Sequence, residues 1–270
     1  MALYLQTNSS ALVAESYFNQ SNSQIQQSFT QLSSGYRINS AADDAAGLGI
    51  ALSMNAQVQS YGVAAQNAND AVSMVQTADG SASQIDSLLT RMRSLAVESQ
   101  NGTMSANDQT NLNTEFQQDL SEIDRVAGDA TFNGTGLLAG ATNQVNFQVG
   151  INGTTSDQIG VTFGGLDVSG LGMTGATVTG ATVLSQIDSA MQTLSTTRAG
   201  FGAAVDRLQD AATNITSTQT DLSSALADIQ DVDVAQATAN LAREQVLAQA
   251  GASVLSQANQ APQLALKLLQ

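Results

Sequence analysis

The chain has 270 residues, 23 acidic against 8 basic side chains for a net charge of −15, only 4 Tyr and 7 Phe, and no cysteine, histidine or tryptophan. The acidity argues against nucleic acid or anionic lipid as partners. The missing residues rule out disulfides, thiol catalysis, the commonest general base and the commonest metal ligands, so no catalytic residue, metal or cofactor is expected.

Ala, Ser, Gln, Asn and Thr fill the sequence instead, a mix that suits long thin helices better than a sheet-based core. The N-terminal MALYLQTNSS has no basic n-region and no long apolar run, so a cleavable signal peptide is not expected. No window reaches the apolar length that a bilayer span needs, so no membrane insertion is expected. On these facts alone the chain reads as a cytoplasmic soluble protein.

In the first segment Phe18, Ile25, Phe29, Leu32 and Tyr36 follow helical spacing, with Asn22 as a polar slot. The stretch LSSGYRINSAADDAAGLGIA, Leu32 to Ala51, then gathers one basic residue, two adjacent acids and three glycines. Gly35 would break the preceding helix, and Arg37 is placed to pair with a nearby acid. Ser40-Ala41-Ala42-Asp43 fits a capping box, with Asp43 and Asp44 in the first turn, where negative charge suits the helix dipole. A calcium site would need further oxygen ligands at set intervals, and a dinucleotide loop a third glycine after a strand; neither is present.

A second helical pattern runs through Val58, Tyr61, Ala65, Ala68, Val72 and Val75 and resumes at Ile85, Leu88, Met92 and Leu95. A third covers Leu112, Phe116, Leu120 and Ile123. Between Ala139 and Ala181 there are 10 glycines and no basic residue. There Val145, Phe147, Val149 and Ile151 alternate, as do Ile159, Val161 and Phe163, and Asn152-Gly153 opens the connection: a β-hairpin. The run LGMTGATVTGA after it reads as turns or extended chain, or else as a flexible linker.

The longest pattern runs from Leu184 to Ile229 with every gap 3 or 4, and only Arg198 and Gln219 interrupt its apolar seam. That is a sustained heptad, about 70 Å of helix at 1.5 Å per residue. Such a seam needs partner helices, and the earlier patterns supply them. The fold expected is mainly α: a long antiparallel helical bundle or coiled coil with a small β-hairpin module.

Both ends are nearly uncharged, with Glu15 alone in residues 1–36 and Lys267 alone in 245–270. Yet they carry Leu3, Leu5, Leu12, Val13, Tyr17 and Phe18 at one end and Val254, Leu255, Leu264, Leu266, Leu268 and Leu269 at the other. Solvated tails would be charged and disordered ones would avoid leucine. Two readings remain: the ends bury against other copies of the chain, or they pack on each other within one.

LSSGYRINSAADDAAGLGIA closely resembles the N-terminal signature of bacterial flagellins. NANDAVSMVQTADG (Asn67–Gly80), EIDRVAGDATFNG (Glu122–Gly134) and QAGASVLSQANQAPQLALKLL (Gln249–Leu269) match the same family in the same order. The resemblance covers about residues 1–150 and 181–270. Many flagellins insert outer domains between the helical halves, so the short 139–181 stretch marks a short form.

The resemblance implies a structural, non-enzymatic subunit that self-assembles into an extracellular helical filament for motility. It implies export in an unfolded state through the flagellar type III channel, with an export chaperone and cap and junction proteins as partners. The implied organisation is an inner assembly domain, 1–40 with 230–270, whose terminal helices pair. A helical-bundle domain, 41–138 with 181–229, follows, and 139–180 stands in place of the outer domains. Self-assembly would use Leu3, Leu5, Leu12, Phe18, Ile25, Phe29, Leu32, Leu255, Leu264, Leu266 and Leu268. Gly35, Arg37, Ser40, Asp43 and Asp44 would form the link between domains.

By the same resemblance Arg91, Leu95 and Glu115 would contact a Toll-like receptor. The residues themselves equally allow Leu95 to pack in the bundle with Arg91 as a surface charge. Alternatives to the filament subunit are the hook–filament junction protein of the same superfamily and a surface-binding or adhesion protein. A lectin-like calcium loop is missing and the acidity would repel acidic glycans.

Overall fold

The structure, a computed structural model, describes residues 7–268, with side chains as far as Gln260. The helices are α1 (Ser9–Ser34), α2 (Ala45–Ser99), α3 (Ala106–Asp129), α4 (Val183–Gln230) and α5 (Val234–Leu268). Between α3 and α4 lie the short strands β1 (Thr131–Phe132) and β2 (Thr135–Gly136) and the hairpin of β3 (Asn143–Gln148) and β4 (Gln158–Phe163). Both strand pairs are antiparallel. The expected mainly α architecture with a small hairpin is thus the fold observed.

The chain forms two compact units. One takes both ends, to Ala56 and from Asp221; the other is Gln57–Thr220. The large core belongs to the second unit. Ile85, Leu89 and Met92 of α2, Phe116 and Ile123 of α3, and Ile187, Leu194, Phe201 and Leu208 of α4 are all essentially buried there. Their 3-4 spacing puts one stripe of each helix inward. The two patterns on either side of residue 80 belong to one helix, because Gly80 sits in its interior at a cost too small to break it.

The two polar interruptions of the α4 seam both reach across to α2. Arg198 Nε donates to Asp79 Oδ1 at 2.8 Å, and Gln219 Nε2 donates to the Val58 carbonyl at 3.2 Å. A polar group facing a neighbouring helix is tolerated where it finds a partner, and it then fixes the register.

The hairpin pairs Val145 with Val161 and Phe147 with Ile159. Phe163 packs on Phe201 of α4 with ring centroids 5.6 Å apart. Its connection is longer than a two-residue turn. It is closed by Asp157, whose carbonyl accepts from Val149 N–H at 2.8 Å and whose carboxylate accepts from Asn152 N–H at 2.9 Å. The glycine-rich run is a strap of turns: Leu166, Leu171, Met173, Ala176 and Val178 are buried in the core. Asn113 Oδ1 accepts from Val178 N–H at 3.1 Å, and Gln117 Nε2 donates to the Ala176 carbonyl at 2.8 Å. Of the two sequence readings, ordered turns and linker, the turns are what the structure shows.

Candidate functional site

Two features distinguish the unit built from the chain ends: an antiparallel helix pair with an apolar outer surface, and a dense polar junction at one end of it.

The helix pair is α1 against α5. Asn8 caps α1, its Oδ1 accepting from Ala11 N–H, while its Nδ2 donates to the Ala258 carbonyl at 2.7 Å. Phe18 lies over Gly251, where a Cβ would stand 3.7 Å from its ring. Further along, the Gln24 amide faces the Glu244 carboxylate. Buried side chains on the pair are few and small, Ala14 and Ser28 on α1 and Ala237 on α5.

Large apolar side chains stay outside. Leu12, Val13, Tyr17 and Phe29 of α1 and Val246, Leu247 and Val254 of α5 are all about half exposed or more, Tyr17 and Val246 at 66%. In the larger unit only Val63 and Val97 are comparably exposed among the described residues. Tyr17, Phe18, Leu247 and Val254 line a shallow groove floored by Ala14, Ala250 and Gly251.

Of the expected assembly positions, Leu12 and Phe29 are exposed, and Phe18, Ile25, Leu32 and Leu255 are half-buried. Leu3 and Leu5, and the side chains of Leu264, Leu266 and Leu268, lie outside the described residues. Sequence reading passed over Leu247 and Gly251, although Leu247, Gly251, Val254 and Ala258 recur at gaps of 4, 3 and 4.

The junction is the signature stretch. Gly35 takes φ 78° and its N–H bonds the Gln31 carbonyl at 2.9 Å, ending α1 with a left-handed cap. Tyr36 then bridges Asp231. Arg37 N–H donates to the Gln230 carbonyl at 2.7 Å, and Val232 N–H donates to the Gly35 carbonyl at 2.9 Å. The Arg37 guanidinium, expected to pair with an acid, donates instead to the Ile229 carbonyl at 2.5 Å, at the C-terminal end of α4 where the dipole is negative.

The helix start also differs from the sequence reading. Asp43 Oδ2 accepts from Ser40 Oγ at 3.0 Å and Ser40 N–H at 2.9 Å, as in a capping box, but the box closes a turn. α2 begins only at Ala45, and Asp44 does the capping, its Oδ1 accepting from Gly47 N–H at 2.8 Å. With α2 starting at Ala45, Asp44 stands at the cap position, from which a carboxylate reaches the free N–H three residues on. The bond from Ser40 Oγ is the largest cause holding the Asp43 carboxyl below its usual pKa. Among the described residues neither acid belongs to a group of three or more side chains that could hold a metal ion.

The three residues of the receptor expectation sit in the other unit. Leu95 is 7% exposed and part of the core. Arg91 is exposed but holds Asp119 of α3 with two nitrogens, Nε–Oδ2 at 2.9 Å and Nη2 to Oδ1. That bond is the main cause raising the guanidinium pKa. Glu115 is exposed on α3. Arg91 and Glu115 therefore face solvent while Leu95 lies beneath.

Comparison with known proteins finds one family at both ends of the chain. The bacterial flagellin N-terminal helical region matches residues 5–143, and the bacterial flagellin C-terminal helical region matches 184–269. A flagellin of Halalkalibacterium halodurans is 36% identical over 250 residues, covering 90% of this chain and 91% of its own. A flagellin of Bacillus subtilis is 32% identical over 298 residues, 97% of this chain and 98% of its own. The flagellar filament 33 kDa core protein of Treponema phagedenis is 32% identical over 282 residues, 97% and 98% of the two chains. A crystal structure of Bacillus cereus flagellin, 29% identical, covers 60% of this chain and 94% of its own with a TM-score of 0.48. With both helical regions matched in order at the two ends, this chain belongs to the bacterial flagellin family.

Proposed function

We propose that the chain is the structural subunit of an extracellular flagellar filament and that its chemistry is self-association. Supporting this are its family and one observation above all: exposed large apolar side chains gather on the α1–α5 pair and its surroundings. Fully burying such a side chain contributes about 1.5–3 kcal/mol. Among the described residues no second layer covers Leu12, Tyr17, Val246 or Val254, so further copies are the natural cover. In this reading 1–40 with 230–270 is the inner assembly region, 41–138 with 181–229 the supporting bundle, and 139–180 a short cap in place of larger outer domains.

The subunit reaches the outside unfolded through the type III channel, aided by an export chaperone, and meets cap and junction proteins at the filament ends. A chain without cysteine, dominated by local helical contacts, refolds readily after such transit. Any Toll-like receptor contact uses the α2–α3 face carrying Arg91 and Glu115, with Leu95 supporting it from below.

The test is electron microscopy of the purified protein at high concentration with short filament seeds. Long uniform tubes that incorporate the protein are expected, and a chain lacking 1–36 and 245–270 should stay folded yet fail to grow. Normal filaments from the doubly truncated chain, or persistent monomers of the intact one, would overturn the reading.

A further inference from the structure

The α1–α5 pair is held at its two ends by unequal means. Away from the junction the pair is joined through side chains, among them Asn8 on Ala258, then Phe18 on Gly251, then Gln24 on Glu244. Partners climb one helix as they descend the other, so the pair behaves as an antiparallel zipper. Its closed end is the junction, where Val232 N–H reaches the Gly35 carbonyl, Arg37 N–H the Gln230 carbonyl and the Arg37 guanidinium the Ile229 carbonyl. Gln31 Nε2 and Asn39 Nδ2 brace this turn by donating to the carbonyls of Arg37 and Tyr36 at 3.1 and 2.9 Å.

We propose that residues 35–37 and 229–232 form a clasp whose closure makes pairing of the two terminal helices possible, and that Arg37 is its positioning residue. This inference rests on the filament-subunit reading, since the paired helices are the assembly surface. The argument is one of balance. The side chains buried on the pair among the described residues are alanine and serine, and Phe18, Ile25, Leu32 and Leu255 are only half-buried, so its own interface contributes less than a closed core would. The two helices must still be brought into one register and held there, which costs conformational entropy. That cost is met once, at a fixed end; each later turn of helix then pairs at high effective concentration. The guanidinium suits the role because it lies on the free carbonyls of a helix terminus, where a cation is favoured and a charged donor makes a stronger bond.

The test combines assembly with a covalent bypass. The chain has no cysteine. A Cβ at Gly251 would stand 3.8 Å from the Phe18 Cβ, the separation a disulfide prefers, so Phe18→Cys with Gly251→Cys allows the pair to be locked by oxidation. Arg37→Ala in the natural sequence should raise the critical concentration for seeded growth about tenfold, the loss of one bond from a charged donor. Thermal melting of the Gln57–Thr220 unit should not change, and Arg37→Lys, which keeps a cation at the α4 terminus, should recover most of the loss.

In the double-cysteine background the Arg37→Ala defect should appear when reduced and vanish when oxidised, each compared with its Arg37 parent in the same redox state. Unchanged seeded growth of Arg37→Ala would overturn the clasp. So would a defect that survives the disulfide, because Arg37 would then act at a contact between subunits. Should the natural chain itself refuse to grow on seeds, the filament reading fails and the clasp is judged on monomers. There, Arg37→Ala should lower the fraction of the cysteine pair that closes under a fixed oxidant, and an equal fraction would overturn it.

Discussion

Gly47 occupies the first turn of α2 with no room for a side chain. A Cβ there would run into the Asp44 carboxylate that caps the helix and come within 2.7 Å of Ile38 Cδ1, and Ile38 is 2% exposed. Gly47→Ala must therefore displace both the Asp44 cap and the Ile38 side chain. It is expected to destabilise the end unit by about 1–3 kcal/mol, the usual cost of overpacking, read as lost helicity and weaker seeded growth. Leu95 poses a different question. As a core residue its replacement by alanine should cost about 2–5 kcal/mol in urea unfolding, whereas Glu115→Ala, fully at the surface, should stay within about 0.5 kcal/mol. A receptor assay in which Leu95→Ala loses signal thus needs a matched unfolding curve. Loss without destabilisation would contradict the burial described here.

Among the elements, α3 shows the clearest terminal chemistry. Ser105 Oγ and N–H both donate to Asp108 Oδ2, at 2.7 and 3.0 Å, and Asp108 N–H returns to Ser105 Oγ at 3.3 Å. The Ser105 hydroxyl is the largest cause holding the Asp108 carboxyl below its usual value. A carboxyl lowered in the folded state adds stability that is fully present above its unfolded pKa, about 3.9. That stability is lost as pH falls through the lower folded value. Ser105→Ala should cost about 1 kcal/mol at neutral pH. The gap between wild type and Asp108→Asn in thermal melts should close between about pH 4 and the folded pKa below it. A gap that widens on acidification would refute the assignment. The strap after β4 is the counterpart without regular structure: buried apolar side chains and backbone turn bonds order it, and Asn113 and Gln117 of α3 hold its remaining N–H and carbonyl groups.

For the whole molecule, the net charge of −15 sets the terms of assembly. Copies repel at low ionic strength, while the surface proposed to join them carries few charges, Glu15 on α1 and Arg243, Glu244 and Lys267 on α5. Screening falls to a Debye length of about 8 Å at physiological salt. The critical concentration for seeded growth is therefore expected to fall as salt rises from about 0.01 M to 0.15 M, measured by sedimentation. A rise with salt would mean that ion pairs rather than apolar burial dominate the contact.

Much of this was legible from residue order alone. Helical period, the heptad from Leu184 to Ile229, the alternation on either side of Asn152-Gly153 and the uncharged apolar ends each follow from spacing, because one periodicity places one face inward. So did the family, through four ordered motifs, and with it the function. What spacing could not reach were choices among equivalent partners. Asp43 and Asp44 are adjacent and both acidic, and only the start of α2 at Ala45 made Asp44 its cap. Arg37 had acids nearby in sequence, yet the carbonyl end of α4, almost two hundred residues away, took its guanidinium. Leu95 fits a surface and a core equally well on paper, and only the assembled core, shared by α2, α3 and α4, decided that it is core. Local pattern determines which residues can face inward; which group meets which is settled only when distant segments compete for the same space and the same hydrogen bonds.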